Sequence, residues 1–151
     1  MPTVTLNPLD KADEYTVLSN GNRSVDSSTG SGNYRSVRAT HAKVRGGLWY
    51  FEVLVMVDYP TNPRNALGII NTTHVLNNIP GSDISSGDKW GVGLTVQGAL
   101  YVDDLNTSNT INNSYIPQLS DNDRVGIAYD LNLGKVWFAV NNTWVGGGTP
   151  G

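Results

Sequence analysis

The chain has 151 residues, enough for one domain with a sizeable core; 38% are apolar and 15% charged, so Gly, Asn, Ser and Thr make up an unusual share of the rest. Ten basic against 13 acidic residues, a net charge of −3, provide no basic stripe for a nucleic-acid backbone, and the absence of cysteine excludes disulfides and thiolate metal sites while leaving the compartment open. No run reaches the ~18 apolar residues of a membrane-spanning helix, and Met1-Pro2-Thr3-Val4 lacks the basic and apolar regions of a secretory signal.

In chain order, strands are expected at Val4–Leu6, Thr16–Leu18, Arg23–Val25 and Tyr34–Thr40. One helical turn fits at Asp10–Tyr15, and Asn20-Gly21 suits a two-residue hairpin turn of the primed type. Leu48–Val57 is apolar on both faces apart from Glu52: Trp49, Phe51, Val53, Val55 and Val57 alternate with Leu48, Tyr50, Leu54 and Met56. Such a strand is expected at the centre of the fold, covered on both sides.

Further strands are expected at Ala66–Ile70, Lys89–Thr95 and Ala99–Val102, with Gln97-Gly98 as a second tight turn. Arg124–Asp130, Lys135–Val140 and Thr143–Val145 follow, joined through a left-handed Gly134 and an Asn141-Asn142 turn. Val125, Ile127 and Tyr129 share one face of the first, and Val136, Phe138 and Val140 one face of the second. That period of two marks strands with one buried side. Two long stretches, Asn71–Asp88 and Asp103–Asn122, read as loops, and loops of that length often carry function. No ten-residue span keeps a helical period with caps. Many short strands without helices predict an all-β protein, an antiparallel β-sandwich or barrel.

Several of these segments resemble the SPRY family in the form common among bacteriophage structural proteins. Gly47-Leu48-Trp49-Tyr50-Phe51-Glu52-Val53 is similar to the family's Gly-Lys-Trp-Tyr-Phe-Glu-Val strand, with Ser36-Val37-Arg38-Ala39-Thr40 as the segment leading into it. Ala66-Leu67-Gly68-Ile69-Ile70 resembles its Val-Gly-Ile-Ala strand, and Lys89-Trp90-Gly91-Val92-Gly93-Leu94 its Trp-Gly-Tyr-Gly element. Val125–Gly134 followed by Lys135-Val136-Trp137-Phe138-Ala139-Val140-Asn141 resembles its Leu-Asp…Gly-Lys-Leu-Trp-Phe segment. The match covers most of the chain, and its weight lies in the order and spacing of these pieces.

The resemblance implies a concanavalin A-like jelly-roll sandwich, noncatalytic, that meets partners through its loops. It implies a place in a virion or outside the cell, in a tail fibre, head fibre or other appendage. The partners it implies are a host-surface glycan or protein receptor, or another virion protein, with a homo-oligomer expected (a trimer if the chain belongs to a fibre). A cellular SPRY adaptor binding a peptide is the alternative. The family continues past the glycine-rich loop at Gly146–Gly151, so residues 1–151 are expected to form one SPRY-like domain that lacks its last strand or strands, or the N-terminal part of a longer chain. A missing strand would leave an open sheet edge.

No residue stands out as catalytic, and no cofactor or metal is expected. Glu52 lacks the second carboxylate that a glycosidase needs, since Glu14 is the only other glutamate, and reads as a structural acid, paired with Arg38 or exposed. Asp103-Asp104 and Asp121/Asp123 fit turns better than calcium, and His41 and His74 have no ligating partners. Trp49, Trp90 and Trp137 suit the core or the cover of a sheet. The candidate ligand-binding residues are Tyr34, Tyr59, Arg64, His74, Asn77, Asn78, Tyr101, Tyr115 and Trp144, because tyrosine and asparagine serve binding surfaces well.

Overall fold

A computed structural model of the chain describes residues 4–26, 35–41, 46–56, 65–72, 76, 90–104 and 108–151. Among them every regular element is a strand. In chain order these are β1 (Leu6–Lys11), β2 (Val17–Ser19), β3 (Ser24–Asp26), β4 (Val37–Ala39), β5 (Leu48–Leu54) and β6 (Ala66–Ile70), then β7 (Trp90–Thr95), β8 (Leu100–Asp104), β9 (Ser108–Asn112), β10 (Arg124–Asp130), β11 (Lys135–Val140) and β12 (Thr143–Trp144). They pair, always antiparallel, as two four-stranded sheets, β12-β11-β10-β5 and β6-β7-β8-β9, and two small ribbons, β1-β4 and β2-β3.

The pairing follows from side-chain alternation. On β10 and β11 the residues Val125, Ile127 and Phe138 share a face and are buried. On the second sheet Leu67, Ile69, Val92, Leu94 and Leu100 share a face through the Ile69↔Val92 and Leu94↔Leu100 pairs, with Leu94 buried and the others partly buried. Both faces contribute to one apolar cluster, closed by Val55, Val96, Ile116 and Leu119 from the connections. Two sheets burying their inner faces against each other is sandwich-like packing, and it hides the alternate residues that neither sheet could bury alone.

The turns show how local chemistry sets register. Asn141 and Asn142 have φ of 49° and 66° and close a two-residue hairpin between Val140 and Thr143, as expected. Gly134 is left-handed, also as expected. The Asn20-Gly21 turn is longer than expected: Ser19 pairs with Ser24, and Asn20, Gly21 and Asn22 are all left-handed. Gly98, with φ of 90°, ends a three-residue loop in which its N–H meets Thr95 O at 2.9 Å, in place of a two-residue turn.

Other expectations need correction. The first strand is Leu6–Lys11 rather than Val4–Leu6. Its register against β4 is irregular, which accommodates Pro8 and its missing N–H. That strand overruns the start of the expected helical turn at Asp10–Tyr15; what remains is a turn held by Asp13, whose Oδ1 accepts from the N–H groups of Tyr15 and Thr16, both at 3.1 Å. The stretch Asp103–Asn122, read as a loop, contains β9 paired to β8. The largest correction concerns β5. Among the described residues it is one of the two outer strands of its sheet and half open on both faces, with Leu48, Tyr50, Phe51 and Leu54, and Met56 just beyond it, all exposed. A run apolar on both sides is a statement about what the strand can bury, and among the described residues only β10 pairs with it.

Candidate functional site

The outer face of the β5–β10–β11–β12 sheet gathers aromatic residues over a floor of small ones. Register places Tyr50 beside Ala128 and Trp137, and Glu52 beside Gly126, Ala139 and Trp144. Tyr50 and Trp144 lie on the two outermost strands, yet their rings meet edge to face, 6.2 Å between centroids and 66° between planes. They reach each other because β10 and β11 present Gly126 and Ala139 between them. A Cβ on Gly126 would stand 2.5 Å from the Tyr50 hydroxyl oxygen. Ala128 and Ala139 are only 2% exposed although they face outward. The aromatic rings cover them, and Tyr50 itself remains 52% exposed.

A polar group borders the rings. The Tyr50 hydroxyl donates to Glu52 Oε1 at 2.7 Å, and Arg124 Nη1 donates to Glu52 Oε2 at 2.7 Å. Glu52 is therefore hydrogen-bonded and ion-paired, but its cation is Arg124 and not the expected Arg38, which pairs with Asp10 at 2.7 Å. The Tyr50 hydrogen bond, then Arg124, hold the Glu52 carboxyl below the usual carboxylate range. The same bond, with burial second, raises the Tyr50 phenol. The Glu52–Arg124 pair is partly solvated and adds little to stability. Its chemical value is as a carboxylate and a guanidinium beside exposed ring faces, a combination that hydrogen-bonds hydroxyls while the rings take apolar surface.

Local sequence fixes this arrangement. Asp130 Oδ1 accepts from Asn132 N at 2.7 Å and Leu133 N at 3.1 Å, capping the β10–β11 turn. Asn141 Oδ1 accepts from Arg124 N at 3.0 Å, and Asn141 Nδ2 donates to Asp123 Oδ1 at 2.8 Å. These bonds lock β11 against β10, so that Trp137 and Trp144 both face outward.

Among the expected ligand residues, Trp144 belongs to this face. Tyr101 sits on β8 opposite Gly93, on the outward side of the other sheet, away from Trp144. Tyr115 is half-buried against the core, its hydroxyl close to Gly146. Tyr34, Tyr59, Arg64, His74, Asn77 and Asn78 lie outside the described residues, as does most of Asn71–Asp88. Asp123 accepts from Ser120 N at 2.7 Å, a turn role as expected, and Asp121 accepts from Asn122 Nδ2 at 2.8 Å.

Tyr50, Glu52, Arg124 and Trp137 were not among the expected ligand residues. The signal was present in the alternation: Tyr50 and Glu52 fall on the face opposite Phe51. The facing strand carries Gly126 and Ala128 at the matching positions, which is the pattern of large rings over small residues.

No protein-family model matches the chain, and no curated protein matches it.

Proposed function

We infer that the chain is a noncatalytic binding and structural module, a SPRY-type concanavalin A-like sandwich of a bacteriophage virion appendage that engages a host-surface glycan or another virion protein. The observation that carries the binding role is the Tyr50–Trp144 pair. Two aromatic rings spanning a sheet, one half exposed and flanked by Glu52 and Arg124, offer apolar ring faces and directed hydrogen bonds at one place. Sugars present the same two surfaces, a C–H face and a rim of hydroxyls, and flat aromatic faces serve protein partners equally well. The virion setting and the family rest on the resemblance of the Trp49–Val53, Trp90–Leu94 and Lys135–Asn141 segments. The contact surface in this reading is the sheet face, in addition to the loops first expected.

The test is an array of bacterial surface polysaccharides, together with intact-cell binding, for the native protein and for Tyr50→Ala and Trp144→Ala. Both variants are expected to keep the far-ultraviolet spectrum of the native protein and to lose binding. Binding that survives both replacements would remove this face from the function.

A further inference from the structure

The open side of β5 carries an inference of its own, independent of what the aromatic face binds. Backbone bonds on the inner side set its phase. Val55 N donates to Asp123 O at 2.8 Å and Val55 O accepts from Asn122 N at 2.9 Å. On β10, Arg124 O accepts from Asn141 N at 2.9 Å, so Arg124, Gly126 and Ala128 bond toward β11. Val125, Ile127 and Tyr129 therefore bond toward β5, where they oppose Val53, Phe51 and Trp49. The alternation of an antiparallel ladder then turns the N–H and C=O groups of Leu48, Tyr50, Glu52 and Leu54 away from the sheet. Among the described residues no strand pairs with that edge.

Among the described residues nothing defends this edge. Proteins blunt free edges with proline, lysine or bulges. Leu48–Leu54 contains no proline and no lysine or arginine, pairs with β10 in unbroken register, and holds a single charge, Glu52, already neutralised by Arg124. On the core-facing side, Phe51 is 37% exposed while Ile127 opposite it is 0% exposed. A core-face aromatic left open beside a buried partner is apolar surface that one further strand would cover.

We propose that β5 pairs edge to edge, antiparallel, with β5 of a second copy of this chain, centred on Phe51, so that one sheet runs through both subunits. About that residue the strand is symmetric in kind: leucine stands at both ends, Trp49 and Val53 are both apolar, and Tyr50 and Glu52 both carry a polar group. Centring on Phe51 sets Leu48 opposite Leu54 and Tyr50 opposite Glu52, and all four outward-turned residues find a hydrogen-bonded partner. Centring on Glu52 would place two carboxylates directly opposite, which is destabilising. Centring on Tyr50 would set Leu48 against Glu52 and leave Leu54 unmatched. On the inner side, the Phe51 rings of the two copies become a closely spaced pair, Trp49 meets Val53, and the exposed ring edge is covered. A two-fold pairing of this kind is isologous, so it closes at two copies.

The native sequence has no cysteine, which makes the register directly readable. In the Phe51→Cys variant the paired Cα atoms would lie about 4.5 Å apart, inside the range a disulfide spans. Oxidation is expected to convert Phe51→Cys to a covalent dimer on a non-reducing gel. Leu133→Cys, an exposed turn position, is expected to stay monomeric. Analytical ultracentrifugation of the native protein is expected to show a dimer, and Leu54→Pro a monomer with an unchanged far-ultraviolet spectrum, because the Leu54 N–H takes no part in the bond to β10. A native protein that is monomeric at every concentration, a Phe51→Cys variant that cross-links no faster than Leu133→Cys, or a dimer indifferent to Leu54→Pro would each overturn the pairing. A monomer that takes up an unrelated strand would assign the edge to another partner and do the same.

Discussion

Tyr50 and Trp144 belong to the two outermost strands of one four-stranded sheet, and their rings touch across it, 6.2 Å apart. Two intervening strands would normally keep such residues apart. Contact is allowed because Gly126 and Ala139 leave the middle of the face low enough for both rings to lie over it. A glycine in a strand interior usually weakens the strand, and here it marks the close approach of a side chain.

Gly126→Ala is therefore expected to displace the Tyr50 ring. The cost should be about 1–3 kcal/mol, the ordinary penalty for forcing extra volume into a packed site. Urea denaturation would measure it. In a Tyr50→Ala background the same replacement should cost much less, and equal costs in the two backgrounds would show that the ring does not lie over Gly126.

Two phenylalanines give a contrast in burial. Phe138 is 2% exposed at the centre of the core, and Phe138→Ala is expected to cost about 3–5 kcal/mol. Phe51, on the same face of the sheet but 37% exposed, should cost clearly less when measured in dilute, dissociated protein. Similar losses for both would mean that Phe51 is already covered within one chain.

The β11–β12 turn predicts opposite effects at one position. Asn142 has φ of 66°, a left-handed conformation that glycine adopts without strain, so Asn142→Gly should be neutral or stabilise by up to about 0.5 kcal/mol. Asn142→Val, β-branched in a left-handed conformation, should destabilise by about 1–2 kcal/mol. Thermal unfolding of the pair checks both signs; a valine variant as stable as the glycine variant would argue against this turn geometry.

Stability should fall at both ends of the pH scale, for different residues. The Glu52 carboxyl is lowered by Tyr50 and then Arg124, and Asp123 by Ser120 N–H and then Asn141. At Asp13 burial pushes upward, but Arg35 and Thr16 together leave the carboxyl lowered. A carboxyl lowered on folding stabilises the fold above its unfolded pKa, about 4, and that contribution is lost as pH falls through the lower folded value. Glu52→Gln should flatten part of this acid loss. Tyr50, raised by its bond to Glu52, and Tyr129, raised by burial, favour the neutral phenol in the fold. Their contribution holds below the unfolded value of about 10 and is lost as pH rises further, so Tyr129→Phe should blunt the alkaline loss. Urea midpoints from acid to alkali would check both limbs, and an acid limb unchanged by Glu52→Gln would contradict the lowered carboxyl.

Much of this architecture is legible in residue order. Alternation at Val125–Tyr129 and Val136–Val140, the left-handed preference of Asn141-Asn142, and turn formation by Asp130 and Gly134 are local effects acting over a few residues, so the hairpins and the all-β class follow from the sequence. Strand β9 was hidden because Ser108–Asn112 has Ile111 as its single apolar residue, too few for an alternation, and it pairs with β8 at the end of its sheet, where nothing demands apolar alternation. The Tyr50–Glu52–Arg124 group was hidden because its members are 72 residues apart and meet only through the β5–β10 register.

What the sequence by itself determined is which residues can share a face and where the chain can turn, since both depend on neighbours along the backbone. Only the tertiary structure decided which strand stands at the edge and which face stays open, because those depend on which strands pair and in what register, across long separations in the chain. Leu48–Leu54 shows the difference: its composition suits a covered strand, and its place at the end of the sheet among the described residues leaves Leu48, Tyr50, Phe51 and Leu54 exposed.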